Sequence, residues 1–69
     1  MNYEVSVVVL EDPDGESVLL ENVHSAITTE SGISVSRVGN PDIELYEDHQ
    51  MLDVYNEGDR SLAEDRYDL

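Results

Sequence analysis

The chain has 69 residues with no cysteine and no lysine, and seventeen Asp and Glu against three Arg give a formal charge of −14. That excludes disulfides and thiolate metal sites. It also argues against direct binding to nucleic acid or to an anionic membrane, since both need basic footprints. What the charge attracts is a basic protein, metal cations, or the hydrated cations of a concentrated salt solution.

One domain is the limit at this length, and so small a domain buries only about 60% of the surface its unfolded chain exposes. Phe and Trp are absent, so Val, Ile, Leu, two Met and some of the four Tyr must build the core. That shortage favours self-association or a partner surface.

The elements follow in chain order. Tyr3, Val5, Val7 and Val9 alternate with Asn2, Glu4, Ser6 and Val8. This period of two, rich in β-branched residues, predicts a strand. Val7 to Leu10 is apolar on both faces, as expected of a central strand. The same segment has a glutamate inside it and no basic region before it, so it reads as a strand and not a signal peptide, and cytoplasmic location is the expectation. No stretch approaches the ~20 apolar residues of a bilayer span.

Glu11 to Ser17 (EDPDGES) is a turn, with Pro13 to fix φ and Gly15 free to take a positive φ. Ser17 to Leu20 returns as a strand. Val23 to Thr28 alternates weakly, and Glu30-Ser31-Gly32 connects it to a strand over Ile33 to Val38. Val38 is out of phase with Ile33 and Val35, which predicts a bulge near Arg37. Gly39 to Asp42 (GNPD) is a strong turn signal. Strands over Ile43 to Glu47 and Met51 to Tyr55 follow.

The fold class expected is all-β or mainly β. Five or six short antiparallel strands would form a meander, a curled sheet or a small open barrel. Val5, Val7, Val9, Leu19, Val23, Ile27, Ile33, Val35, Ile43, Leu45, Leu52 and Val54 are the expected core. Residues 1–56 form the acidic β-domain, with twelve acids against one arginine. Residues 57–69 form a tail with five acids and two arginines, either loose or closed by one short helix. Ser61-x-x-Glu64 has the form of a capping box, which predicts a helix over Leu62 to Tyr67 docked through Leu62, Tyr67 or Leu69.

Little here points to catalysis. His24 and His49 lack metal-pair spacing and read as a polar face residue and a loop residue. Asp12-x-Asp14-Gly15 begins like a calcium loop, but the positions that need glycine and glutamate hold Ser17 and Val23. A solvated hairpin turn is the better reading. There is no GxSxG elbow, no glycine-rich phosphate loop and no lysine for a Schiff base. No enzyme activity, cofactor or metal is expected.

The acidic residues of DIELYEDHQ, Asp42 to Gln50, carry the functional expectation. Alternate strand residues recur every ~6.6 Å on one face, close to the spacing of phosphates along a nucleic-acid strand. Asp42, Glu44 and Asp48, with Tyr46 among them, would then face outward while Ile43 and Leu45 face the core. Asp12, Asp14 and Glu16 make a second row. Asp53, Glu57 and Asp59 make a third cluster. The expected partner-binding residues are Asp42, Glu44, Tyr46, Glu47, Asp48, Asp53, Tyr55 and Glu57, with tyrosines as anchors. Their partner would be the basic surface of a nucleic-acid-binding protein.

In size and charge the chain resembles small acidic inhibitors carried by phages and mobile elements, including DNA-mimic anti-restriction and anti-CRISPR proteins. That resemblance implies an inhibitor acting in a host cytoplasm. The alternative is a halophile's accessory or assembly subunit whose acids serve solvation alone. A strand edge would also allow a homodimer, with Val8, Leu10 and Val38 as candidate interface residues.

Overall fold

The computed structural model describes residues 6–69. The expected strand residues Tyr3 and Val5 lie outside that range. The fold is mainly β and antiparallel. Its elements are β1 (Val7–Glu11), β2 (Ser17–Glu21), β3 (Val23–Thr28), β4 (Gly32–Arg37), β5 (Ile43–Glu47) and β6 (Gln50–Tyr55). A 3-10 turn (Glu57–Asp59) then leads into α1 (Arg60–Arg66).

The strands form two three-stranded sheets, β2-β1-β6 and β3-β4-β5, with no closed barrel. β3-β4-β5 is a meander, whereas β6 returns to pair with β1. The change of sheet occurs at Asn22, which adopts a left-handed φ of 54°. Backbone bonds pin that corner: Val23 N–H donates to Ser6 O at 3.1 Å, and Val38 N–H donates to Asn22 O at 2.8 Å.

β1 is central in every direction. It pairs with β2 on one edge and β6 on the other. Its Val8 and Leu10 pack with Leu20, Val23, Ile33 and Val35 between the two sheets. Its Val7 and Val9 pack on the opposite side with Ala63 of α1, with Leu19, Tyr55 and Tyr67 alongside. The doubly apolar run thus reflects burial on both faces, and Val8 and Leu10 belong to the core, not to a strand-edge interface.

The turns obey their residues. Asp12 Oδ1 accepts the N–H of Asp14 at 2.9 Å and of Glu16 at 2.8 Å. The carboxylate that resembled a calcium ligand therefore closes the β1–β2 hairpin. The expected bulge at Arg37 lies across the ladder: Arg37 pairs with Val23 and Ser36 with Ser25, so His24 on β3 is the extra residue.

α1 begins at Arg60, with Asp59 at its N-cap and no side-chain cap bond. Ser61 is inside the helix, so the expected capping box does not form. The preceding 3-10 turn hands its backbone directly to the helix, which removes the need for a side-chain start. Ala63 is fully buried and Tyr67 half-buried, while Leu62 and Leu69 are exposed. The helix docks through a small residue and a ring, tied by Arg60 to Glu21 and by Arg66 to Asp53 at 3.5 Å.

Candidate functional site

β5 is in the opposite phase to the one expected. Ile43 is 69% exposed and Leu45 51%, while Glu44 and Tyr46 turn inward. The cause is Arg37. It is in phase with Ile33 and Val35, so its half-buried guanidinium enters the sheet–sheet side, where a partly desolvated charge favours an acidic partner. Arg37 Nη2 meets Glu44 Oε1 at 3.4 Å and donates to the Tyr46 hydroxyl at 3.3 Å. Tyr46 in turn donates to Glu44 at 2.6 Å, and Arg37 Nη1 donates to Glu21 O at 2.7 Å. Burial, then the bond to Glu44, push the Tyr46 hydroxyl above its ordinary pKa, against the opposing pull of Arg37.

Burying Ile43 and Leu45 instead would gain roughly 1.5–3 kcal/mol for each side chain. It would also take the Glu44 carboxylate away from Arg37. Between the sheets, Val8, Leu10, Leu20, Val23, Ile33 and Val35 already supply the filling.

β6 carries a second correction. Asp53 pairs with Val9 and Met51 with Leu10, which leaves Leu52 as a bulge residue. Met51 packs between the sheets, while Tyr55 packs on the helix side. Leu52 and Val54, expected in the core, are exposed on this edge strand, as is Ile27 of β3.

Asp53 is the hub of a side-chain network. It accepts from the Tyr55 hydroxyl at 2.7 Å and the Tyr67 hydroxyl at 3.2 Å, beside Arg66. The Tyr55 bond holds its carboxyl below the usual range, and the same bond raises Tyr55. Burial and then Asp53 raise Tyr67.

The eight expected binding residues therefore divide between exposed and inward-turned positions. Glu44, Tyr46, Asp53 and Tyr55 turn inward into two hydrogen-bond networks. Asp42 is exposed in the turn before β5, Glu57 is exposed at the 3-10 turn, and Glu47 and Asp48 are exposed where β5 ends.

What the fold does bring together is a different set. Glu11 pairs with Gln50 and Gly32 with Glu47, so three turns (β1–β2, β3–β4 and β5–β6) share one end of the molecule. Thr28 to Ile33 and Asp48 to Met51 line one open hollow there. This pole carries Glu11, Asp12, Asp14, Glu16, Glu30, Glu47 and Asp48, and no arginine. Each arginine lies elsewhere and is matched to a carboxylate: Arg37 to Glu44, Arg60 to Glu21 and Glu64, Arg66 to Asp53. Along the chain the first turn and the β5 stretch read as separate rows, because only the ladder register places them at one end.

Among the described residues, no group of three or more His, Asp or Glu is arranged to hold a metal ion. No helix is long and apolar enough to cross a membrane among the described residues. No protein-family model, no curated protein and no solved structure matches the chain.

Proposed function

We propose that this chain is a small non-enzymatic binding protein that occupies a basic surface of a partner protein, one that otherwise holds nucleic acid. The observation that carries this reading is the pole of seven carboxylates with no cation beside it among the described residues, while every arginine is paired elsewhere. Such a field steers a basic partner toward one end of the molecule and weakens with salt. On this reading the chain acts as an inhibitor in the cytoplasm, a host's cytoplasm if a phage carries it. The contact is with the partner protein, not with nucleic acid or membrane.

A second reading has its own observation. Asp42, Glu57, Asp59, Asp65 and Asp68 are exposed away from the pole and also have no cation beside them among the described residues. Acids spread this widely suit solvation in a saline habitat, with the chain as an accessory or assembly subunit.

Two triple charge reversals separate the readings. One places Lys at Glu16, Glu30 and Glu47 of the pole, the other at Glu57, Asp59 and Asp65. Both change net charge equally. The probe is a lysine–serine peptide bound to a labelled DNA duplex, from which the protein should displace the duplex. The pole variant is expected to lose about tenfold in competition and the other no more than about threefold. Equal losses would mean that only net charge matters, and solvation would become the better account.

A further inference from the structure

The outer face of β3-β4-β5 has no element over it among the described residues, and its composition is unlike the rest of the surface. The ladder register places Ile27, Ser34 and Leu45 in one row across the sheet and Ser25, Ser36 and Ile43 in the next. Ile27 is 61% exposed, alongside the exposed Ile43 and Leu45. The small serines of β4 therefore form a floor, with Leu45 and Ile43 rising on one side and Ile27 on the other. No charged side chain stands within these two rows.

The rim is charged, and of one sign. Glu47 is in phase with Ile43 and Leu45 at one end of the face, with Asp48 and Glu30 in the adjoining turns. Asp42 precedes Ile43 at the other end. No arginine answers them here: Arg37 turns to the inner side, and Arg60 and Arg66 ride on the helix against the other sheet. An apolar centre with a polar rim is the anatomy of a protein interface, and adjoining exposed apolar groups mark such sites.

We infer that this face docks an amphipathic basic segment of a partner protein, with aliphatic side chains laid over Ser34 and Ser36 and Lys or Arg on the acidic rim. The inference rests on the proposed binding of a basic protein and gives that binding its apolar anchor. Charge complementarity selects this occupant. A second copy would bring Glu47 and Asp42 against carboxylates of its own kind, and an anionic membrane or nucleic acid would be repelled by the same rim.

The test uses two synthetic peptides of equal charge and length, one alternating leucine and lysine amphipathically, the other with serine for leucine. Each is titrated into ¹⁵N-labelled protein at ~100 mM salt. The leucine peptide should bind about tenfold more tightly, with amide shifts centred on Ile27, Ser34, Ser36, Ile43 and Leu45. The double variant Ile43→Ser, Leu45→Ser should remove that advantage while keeping the wild-type melt. Should the double variant fail to fold, Ile27→Ser on the other flank gives the same reading.

Equal binding of both peptides, with shifts confined to the three turns, would overturn the docking face and leave the acidic pole standing. No binding of either would remove both. A concentration-dependent dimer in sedimentation that the double variant dissolves would make the occupant a second copy and overturn the inference.

Discussion

Gly32 sits at a crossing where no side chain fits. Its φ is 150°, and a Cβ there would collide with the Tyr46 carbonyl oxygen and lie 2.9 Å from Glu47 Cα. Gly32→Ala must push β5 off β4, and we expect a loss of about 3 kcal/mol or more. In so small a domain that approaches the whole margin of stability. Gly15 also has a positive φ, 84°, but open space around it, so Gly15→Ala should cost only about 1 kcal/mol. Denaturant midpoints compare the two, and equal losses would refute the steric account.

The Asp53 hub makes a different prediction, in pH. Its carboxyl is held low in the folded state, first by the Tyr55 bond. Its contribution is therefore whole above the ordinary carboxyl value of about 3.9 and fades as pH falls through the lower folded value. Tyr55 and Tyr67 are raised, so theirs is whole below about pH 10 and fades as pH rises through the folded values. The melting temperature should drop above pH 10, and Asp53→Asn should flatten part of that drop. The tyrosine absorbance titration should move to lower pH in the same variant. An alkaline limb unchanged by Asp53→Asn would show that the hub does not couple to stability.

At the scale of elements, placement and orientation separate. The spans of β3 and β5 could be read directly, because Gly-, Pro- and Asn-rich turns bound short alternating runs. β1 as a doubly covered strand was equally legible from Val7 to Leu10. Orientation was not, since a period of two has two phases and β5 offers aliphatics to one and Glu44 with Tyr46 to the other. The deciding residue is on a different strand. Arg37 is the lone arginine of residues 1–56 and in phase with two core residues, and Glu44 turns in to meet it.

The candidate site suffered most from this, because half its residues were tied to the wrong phase or to the Asp53 network. The apolar outer face depends on the same phase, because it is the side to which β5 turns Ile43 and Leu45. Glu44→Lys is the matching prediction. It sets a second cation beside Arg37 and strips Tyr46 of its acceptor, and should cost about 1–3 kcal/mol by chemical denaturation. Glu44→Gln, which keeps an acceptor, should cost less. A stable Glu44→Lys variant would mean that Glu44 is a surface acid after all.

Across the whole molecule, self-repulsion governs the electrostatics. Seven carboxylates share one end, and ~0.1 M salt screens charges only beyond about 10 Å. Thermal melts from ~20 mM to ~3 M salt should therefore rise in midpoint. A cooperative melt already present at ~100 mM means that the acidity is not needed to fold in brine, and the binding proposal stands. A circular dichroism signal that appears only at molar salt would assign the carboxylates to solvation and take away that proposal's main support.

β1 is the most completely covered strand, yet its covers are made at different times. β2 follows it at once, while β6 and α1 come last in the chain. During synthesis Val7 to Leu10 must wait with one edge and one face bare until its distant partners leave the ribosome. Pairing across that much chain is slow, and a waiting apolar strand invites other nascent chains. The turn that emerges directly behind it carries Glu11, Asp12, Asp14 and Glu16. Charges placed directly behind an apolar strand oppose its pairing with other copies, and that is the effect expected of this turn before β6 closes the sheet.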